Sequence, residues 1–224
     1  MTFSITARCE RTGMVGVAVS SSSVCVASRC AWARAGAGAV ASQNVTDPAL
    51  GQLGLELLAR GYAAPAVIDM LVHAGSFPDY RQLAVVDAAG GTAHHSGAKT
   101  LGRHAVAEGA GCVAAGNILA DQRVPAEMVA AFAAAPSAHL AERLVGALEA
   151  GLAAGGEEGD VRSAGVLIAA SASWPVVDLR VDWDERPIAR LRALWEVYAP
   201  QLDDYVTRAL DPASAPAYGV PGDP

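Results

Sequence analysis

The second residue of the chain can provide both groups that catalysis by a terminal nucleophile needs. Removal of Met1 would leave Thr2 with a free α-amine and a hydroxyl group, and the small side chain of Thr2 permits that removal. An α-amine has a pKa near 7.7–8.0, so it can take the hydroxyl proton at neutral pH, directly or through one water molecule. The oxygen could then attack a carbonyl carbon and form an acyl intermediate. By position alone, Thr2 is better explained as the first residue of an edge strand.

Attack on a carbonyl creates an oxyanion, which needs N–H donors that are already in place. Two segments could supply them: Gly116 and Asn117 end one predicted strand, and Gln43 and Asn44 follow another. We predict Asn117 as an oxyanion donor and the other three residues as substrate contacts. The alternative for Asn117 is a turn residue that forms a hydrogen bond with its own backbone.

Metal ligands and cofactor motifs are not apparent in the sequence. His94 and His95 alternate faces of a predicted strand, so at most one can line a site, and no carboxylate pair accompanies them. The four cysteines lack a CxxC spacing and are predicted to be buried thiols: Cys9, Cys25, Cys30 and Cys112. We therefore predict a site without a metal ion or a cofactor.

Composition restricts the class of partner. Of the 224 residues, 52% are hydrophobic and 17% are charged, which excludes intrinsic disorder. The net charge of −7 argues against nucleic acid, since no basic stripe exists to neutralise phosphates. No apolar run reaches the roughly 18 residues of a membrane helix. The N-terminus lacks a cationic region followed by an apolar stretch, so we expect a cytoplasmic protein that acts on a small molecule.

The pattern of apolar residues predicts the elements that must position these groups. Alternation with period two predicts an opening hairpin from residue 2 to 20 and strands at 24–27, 38–42, 81–87, 92–95, 109–115, 163–170 and 177–181. Helical spacing predicts paired helices around 50–58 and 65–72, a second pair at 125–134 and 138–153, and a last helix from Pro187. Paired helices between antiparallel strands favour an α+β fold, a four-layer αββα sandwich of two stacked sheets. The excess of Ala and Gly suits close stacking.

The chain is predicted to form one domain over residues 1–211. Residues 212–224 contain four prolines and two glycines and are predicted to form a flexible tail. The apolar layers and the region of Trp183 and Trp195 could supply a homodimer interface.

Blocks of sequence within this order of elements resemble the DUF1028 family, a group of unknown function assigned to the N-terminal-nucleophile (Ntn) hydrolases. The blocks run from residue 2 to about 195 and include 2–5, 16–19, 32–41, 116–117, 141–144 and 178–182. The resemblance implies the four-layer Ntn-hydrolase fold. It also implies hydrolysis of a C–N bond in a small amide, cyclic imide or ureido compound through Thr2.

The superfamily also implies supporting residues. In proteasome-like members a lysine supports the nucleophile from the end of an early strand, and the similarly placed cation here is Arg34, with Arg29 second. Asp160 and Ser163, completed by Gly165, resemble the Asp-x-x-Ser-x-Gly motif of proteasome subunits. The alternative for Asp160 is a capping carboxylate in a loop.

Two segments depart from the family's pattern. Four serines at 20–23 stand where members usually carry an arginine, and the acidic segment 157–160 replaces a basic stretch that contains glutamine. Both should lie near the nucleophile, so we predict that Ser20 and Ser22 bind substrate and that a cationic or neutral substrate is better tolerated than an anion. Two alternatives to the amidohydrolase stay open: a non-catalytic ligand-binding or scaffold protein, and a cyclohydrolase-like enzyme that does not use Thr2.

Overall fold

Two antiparallel sheets form the centre of the fold in a computed structural model that describes residues 1–217 and Gly219. The strands are β1 (Thr2–Arg8), β2 (Val15–Ser21), β3 (Ala31–Arg34), β4 (Gly38–Asn44), β5 (Arg81–Asp87), β6 (Thr92–Ser96), β7 (Ala105–Gly109), β8 (Cys112–Asn117), β9 (Ser163–Ala169) and β10 (Val177–Val181). The larger sheet has the order β10-β9-β2-β1-β8-β7, and the smaller sheet has the order β3-β4-β5-β6.

Helices cover the outer face of each sheet, except for the short helix α1, whose buried residues belong to the layer between the sheets. They are α1 (Ala27–Cys30), α2 (Pro48–Ala59), α3 (Ala64–Ala74), α4 (Val124–Ala134), α5 (Leu140–Ala153), α6 (Pro187–Tyr198) and α7 (Leu202–Leu210). Buried residues of α4, α5 and α6 pack against the larger sheet, and those of α2 and α3 pack against the smaller one. The chain is therefore an α+β protein with the layer order αββα, which confirms the predicted architecture.

Small side chains fill the space between the two sheets. Of the buried hydrophobic residues in that layer, all but Leu167 are Ala, Val or Cys, among them Val17, Val19, Ala39 and Ala84. Side chains of this size let the sheets approach closely, so the excess of small residues in the composition has a structural role.

Alternation along β1 sends two kinds of side chain to opposite faces. Phe3 and Ile5 join the core beneath the helices of the larger sheet. Because successive side chains of a strand point to opposite faces, Thr2, Ser4 and Thr6 face the smaller sheet. The first strand thus presents hydroxyl groups to the layer between the sheets.

The prediction of a strand at 24–27 is wrong. Cys25 has a φ of 53° in the left-handed region, and the chain turns there into the short helix α1 before β3 begins at Ala31. The guanidinium of Arg29 donates to the carbonyl oxygens of Val24 and Cys25, at 2.6 and 2.9 Å, and this holds the turn. Val26 and Ala27 are apolar because they are buried next to this turn, and not because they pair in a strand.

Besides α1 and the short strand β3, two further elements, β7 and α7, were not predicted. The edge strand β7 has no fully buried residue, so it lacks the strong alternation that marks β1 or β2. Helix α7 follows Pro200 and buries only Leu202.

Residues 218 and 220–224 of the predicted flexible tail lie outside the described residues, and the single-domain division stays a prediction. Within the described part of the chain, the helices are too short or too polar to cross a membrane.

Candidate active site

Thr2 begins β1 at one end of the layer between the sheets. Its side chain is only 5% exposed, although it follows the first residue of the chain. The Thr2 hydroxyl donates to the Met1 carbonyl oxygen and lies 3.3 Å from Ser21 Oγ. The Ser21 hydroxyl also donates to the Met1 carbonyl. Two hydroxyl groups therefore converge on the peptide group that precedes Thr2.

A chain of hydrogen bonds connects Thr2 to a partly buried positive charge. Ser21 Oγ and Ser23 Oγ are 2.8 Å apart, and Arg29 Nη2 donates to Ser23 Oγ at 2.7 Å. Arg29 lies on α1, and its bonds to the carbonyl groups of the preceding turn fix the direction of its guanidinium. The cation at this site is thus Arg29, which is connected to Thr2 through the hydroxyl groups of Ser23 and Ser21.

A cavity of about 290 Å³ opens beside these groups. It is lined by Met1, Thr2, Ser23, Val26, Arg29, Cys30, Asn44 and Thr46. This volume is near the lower end of the range for small-molecule sites. Thr2 and Arg29 therefore line the same cavity, which is large enough for a small substrate.

Gly165 on β9 lets α1 approach the larger sheet. A Cβ at this position would lie 2.5 Å from Ala27 Cβ and 3.0 Å from the carbonyl oxygen of Leu179. No side chain can be accommodated without movement of α1, so the glycine is required for the placement of Arg29.

Gly165→Ala is expected to lower the free energy of unfolding by about 1–3 kcal/mol, because the added methyl group overpacks the contact with α1. Gly146→Ala is the matched control, since the nearest atom to its new Cβ is Arg192 Nη2 at 3.9 Å. The control is expected to be neutral or more stable, because Ala favours a helix. Urea unfolding of both variants measures the difference, and equal stability would contradict the packing argument.

A network of buried amides lies behind Thr2. Ser4 Oγ donates to Gln43 Oε1 at 2.6 Å, and Gln43 Nε2 donates to Gln82 Oε1 at 2.8 Å. Asn117, which pairs with Thr2 in the β1–β8 register, donates its Nδ2 to Gln82 Oε1 at 3.1 Å. Within the described residues, Asn117 Oδ1 is buried without a partner. One side-chain N–H of Asn117 is therefore engaged with Gln82, its side-chain oxygen is a free acceptor, and its role as an oxyanion donor stays a prediction.

Glu157 is a buried carboxylate next to the N-terminus. It is 5% exposed, its Oε2 accepts from the Ser22 N–H at 3.1 Å, and its Oε1 has no partner among the described residues. Burial raises the pKa of Glu157 from about 4.5 to about 7, against the opposing effect of the positively charged terminal amine. A carboxyl group with such a pKa can exchange a proton near neutral pH, which is the range that general acid–base catalysis requires.

This raised pKa has a consequence for stability. As the pH rises from about 4.5 to 7, the unfolded chain loses the Glu157 proton while the folded chain retains it, so the folded state loses stability. Glu157→Gln removes this effect. The variant is expected to be more stable than the original protein by roughly 3 kcal/mol at pH 8, with the difference vanishing as the pH approaches 4.5.

Urea unfolding at several pH values measures the effect of Glu157→Gln. Glu158→Gln is the matched control, because Glu158 is half exposed and pairs at 3.8 Å with Arg103 on the surface. The control is expected to follow the original protein. Parallel pH profiles for the original protein and Glu157→Gln would contradict the raised pKa.

Two predicted site residues, Arg34 and Asp160, do not line the cavity beside Thr2. Arg34 is exposed at the end of β3 opposite Gly38, whereas Asn44, at the other end of β4, lines the cavity. The strand separates them by about 20 Å. Asp160 points to solvent, with a side chain that is 81% exposed and an ion pair of 2.8 Å to Arg162. The resemblance to the proteasome motif therefore does not place a carboxylate beside Thr2.

The other predicted residues lie around the cavity in different roles. Ser163 Oγ donates to the Ser23 carbonyl at 2.6 Å and accepts from the Val26 N–H, so it holds the turn before α1. Ser20 Oγ donates to the Ser163 carbonyl. Ser22 contributes its N–H to Glu157.

Gln43 and Gly116 belong to the amide network, where the carbonyl oxygen of Gly116 accepts from Gln82 Nε2. Asn44, which lines the cavity, donates its Nδ2 to the Tyr80 carbonyl at 2.6 Å.

The sequence did not identify Glu157, Ser21, Ser23 or Gln82 individually. One signal was available for Glu157: it follows Gly155 and Gly156, which have φ values of 121° and 59°. These positive φ values turn the chain so that Glu157 enters the protein, while Glu158 and Asp160 stay outside.

Comparison with known proteins identifies relatives of the chain. The model of a family of unknown function, DUF1028, matches residues 2–191. The crystal structure of a DUF1028 protein from Silicibacter pomeroyi matches with a TM-score of 0.81 and 30% identity, and the match covers 88% of this chain and 89% of that chain. Anbu (ancestral beta-subunit) from Yersinia bercovieri matches with a TM-score of 0.39 and 11% identity, over 91% of this chain and 97% of that one. No curated protein matches the chain.

Proposed function

This chain belongs to the DUF1028 family, whose function is unknown, and we propose from its site that it is an Ntn-type amidohydrolase. In this proposal Thr2, after removal of Met1, cleaves a C–N bond in an amide, cyclic imide or ureido group of a small molecule. The observation that carries the proposal is the burial of the Thr2 hydroxyl, at the first strand position, on the wall of a cavity that also contains Arg29.

The first step uses the two groups of Thr2. The α-amine takes the proton of the hydroxyl, the Oγ1–carbon bond forms, and the electron pair of the carbonyl moves to its oxygen. The hydroxyl of Ser21 now binds the Met1 carbonyl, so it is within reach of the position that the free terminus occupies after Met1 is removed. Ser21 therefore orients the amine.

Arg29 has two roles in this proposal. A nearby fixed cation disfavours a second positive charge, so Arg29 keeps the α-amine neutral and able to accept the proton. The guanidinium carries five N–H donors, and its bonds to Ser23, Val24 and Cys25 leave part of this set free for the oxyanion in the cavity. Arg29 takes the place that the lysine has in proteasome-like members.

The second step releases the products. The α-ammonium returns its proton to the leaving nitrogen as the C–N bond breaks, and a water molecule then hydrolyses the acyl–Thr2 ester. Glu157 lies close enough to the Met1 amine for their charges to interact, and removal of Met1 would leave the Thr2 amine one residue further along the chain. We assign Glu157 as the group that holds a proton beside the amine during these transfers.

The proposal is tested by acylation of the protein with a β-lactone, a strained cyclic ester that transfers its acyl group to an activated hydroxyl. Intact mass spectrometry is expected to show a protein without Met1 that gains one acyl group, and peptide mapping is expected to locate that group on Thr2. Retention of Met1 on catalytically active molecules would exclude the mechanism.

The two alternatives give different results in this experiment. A non-catalytic binding protein would bind amides without acylation or turnover. A cyclohydrolase-like enzyme that uses water would keep its turnover after Thr2 is blocked.

A further inference from the structure

A second and larger cavity lies at the opposite end of β1 from Thr2. Its volume is about 820 Å³, within the range of small-molecule sites. The turn that follows β1, the β7–β8 turn and the last residues of α4 form its walls. Since β1 has seven residues, the two cavities are separated by about 20 Å.

Three arginines line this cavity, and none forms an ion pair within the described part of the chain. Arg8 donates no side-chain hydrogen bond there, and its Nε is buried without a partner. Arg11 Nη2 donates to the Ser137 carbonyl at 3.1 Å. Arg143 donates its Nε and Nη2 to the Phe132 carbonyl at 3.1 and 3.0 Å. Carbonyl groups carry no net charge, so the positive charges of all three guanidinium groups stay uncompensated.

The acidic residue in the lining does not neutralise them. Glu10 is exposed to solvent and is not within ion-pair distance of any of the three arginines. This concentration of positive charge is unusual in a chain with a net charge of −7. Three guanidinium groups around one concave space are the donor set that recognises carboxylate or phosphate groups.

The charge of Arg143 acts on both thiols that line the cavity. Burial raises the pKa of Cys9, but hydrogen bonds from Thr12 and the Arg11 backbone, with a smaller contribution from Arg143, outweigh burial, and the pKa is lowered. Burial dominates at Cys112 and raises its pKa to about 11, although Arg143 acts in the opposite direction. The evidence for an anion site is therefore the arrangement of the three guanidinium groups rather than the thiols.

The remaining wall is apolar. Val129, Phe132 and Ala133 of α4 and the neighbouring Pro136 contribute it, and the Arg143 guanidinium stacks at 3.6 Å from the centre of the Phe132 ring. This contact holds one cation at the border between the charged and the apolar parts of the cavity.

We propose that this cavity is a second binding site, which takes a small organic anion with a carboxylate or phosphate group and a compact apolar body. Arg8, Arg11 and Arg143 bind the charged group, and the apolar body packs against α4. The site does not depend on the reaction at Thr2.

Isothermal titration calorimetry with benzoate, phenyl phosphate and the neutral benzyl alcohol tests this proposal. At least one of the two anions is expected to bind, and benzyl alcohol is not. The anion that binds more tightly identifies the preferred charged group. Arg8→Gln is expected to weaken the affinity at least about tenfold, the scale of one charge-assisted hydrogen bond. Arg8 lacks side-chain partners in the described residues, so this variant is expected to keep its fold, which its urea unfolding midpoint verifies.

Two further variants separate this site from the one at Thr2. Arg60→Gln removes an exposed arginine at the end of α2, and Arg29→Gln removes the cation of the Thr2 cavity. Both are expected to bind the anion as the original protein does, with an affinity that falls as NaCl is added. Binding of benzyl alcohol as tight as that of the anions, no detectable anion binding, or a loss in Arg29→Gln but not in Arg8→Gln would overturn the proposal.

Discussion

Thr2→Ala is expected to reduce hydrolysis of a responsive amide, imide or ureido substrate by at least about a thousandfold, because it removes the nucleophilic oxygen. Ala, like Thr, is small enough at position 2 to permit the removal of Met1. The variant therefore keeps the free amine and loses the nucleophilic hydroxyl group. Thr2→Ser keeps a hydroxyl and is expected to retain measurable turnover. Steady-state kinetics of both variants on the same substrate measure the difference.

Thr6→Val provides the matched control for this prediction. Thr6 lies on the same strand and faces the same layer as Thr2, and its buried Oγ1 has no partner in the part of the chain that the structure describes. Because no hydrogen bond is lost, the substitution is expected to leave turnover unchanged and stability equal or slightly higher. Unchanged turnover in Thr2→Ala would exclude Thr2 as the nucleophile and favour chemistry that uses water.

An uncleaved extension before Thr2 is expected to lower turnover by about 10²–10⁴-fold, the range of general base catalysis, because the α-amine becomes an amide that cannot accept a proton. Met1 already shows where such an extension would lie. Its carbonyl oxygen binds the hydroxyl groups of Thr2 and Ser21, and its side chain packs near Gly159. Added residues would thus occupy the space beside Glu157 as well as block the amine.

The comparison requires three forms of the protein. One carries an uncleavable N-terminal tag, the second is made from a precursor whose tag a protease removes directly before Thr2, and the third carries its tag at the C-terminus. The second and third forms are expected to be equally active, provided that Met1 is absent from the third by intact mass. Full activity of the uncleavable form would show that the free amine is dispensable.

Sequence patterns predicted the elements well where burial is regular along the chain. All seven residues of β5 are buried, and the strand was predicted with its observed bounds, 81–87. The helical pairs α2–α3 and α4–α5 were predicted because their apolar residues repeat at helical spacing. Elements with little burial, such as β7, could not be predicted, since an edge strand needs no strong alternation.

Site residues were harder to predict from sequence patterns than secondary structure. Arg29 and Arg34 show the reason. Both arginines lie between the predicted strands 24–27 and 38–42, and the choice between them depends on the path of the chain in that segment. Because Cys25 has a positive φ and α1 follows, Arg29 faces the cavity and Arg34 lies at the far end of β4. A single turn in the chain decides which cation accompanies Thr2.

The sequence by itself determined that a threonine begins the first strand, that the residues between the sheets are small, and that the chain has the αββα order of elements. These properties depend on the type and the spacing of neighbouring residues. Only the tertiary structure decided that Glu157 is buried against the N-terminus and that its neighbours Glu158 and Asp160 are exposed. Glu157 and Ser22 are 135 positions apart, and their contact exists because β2 pairs with β9 and two glycines turn the intervening loop inward. The low polarity of that buried position, rather than the residue type, gives Glu157 its proton affinity.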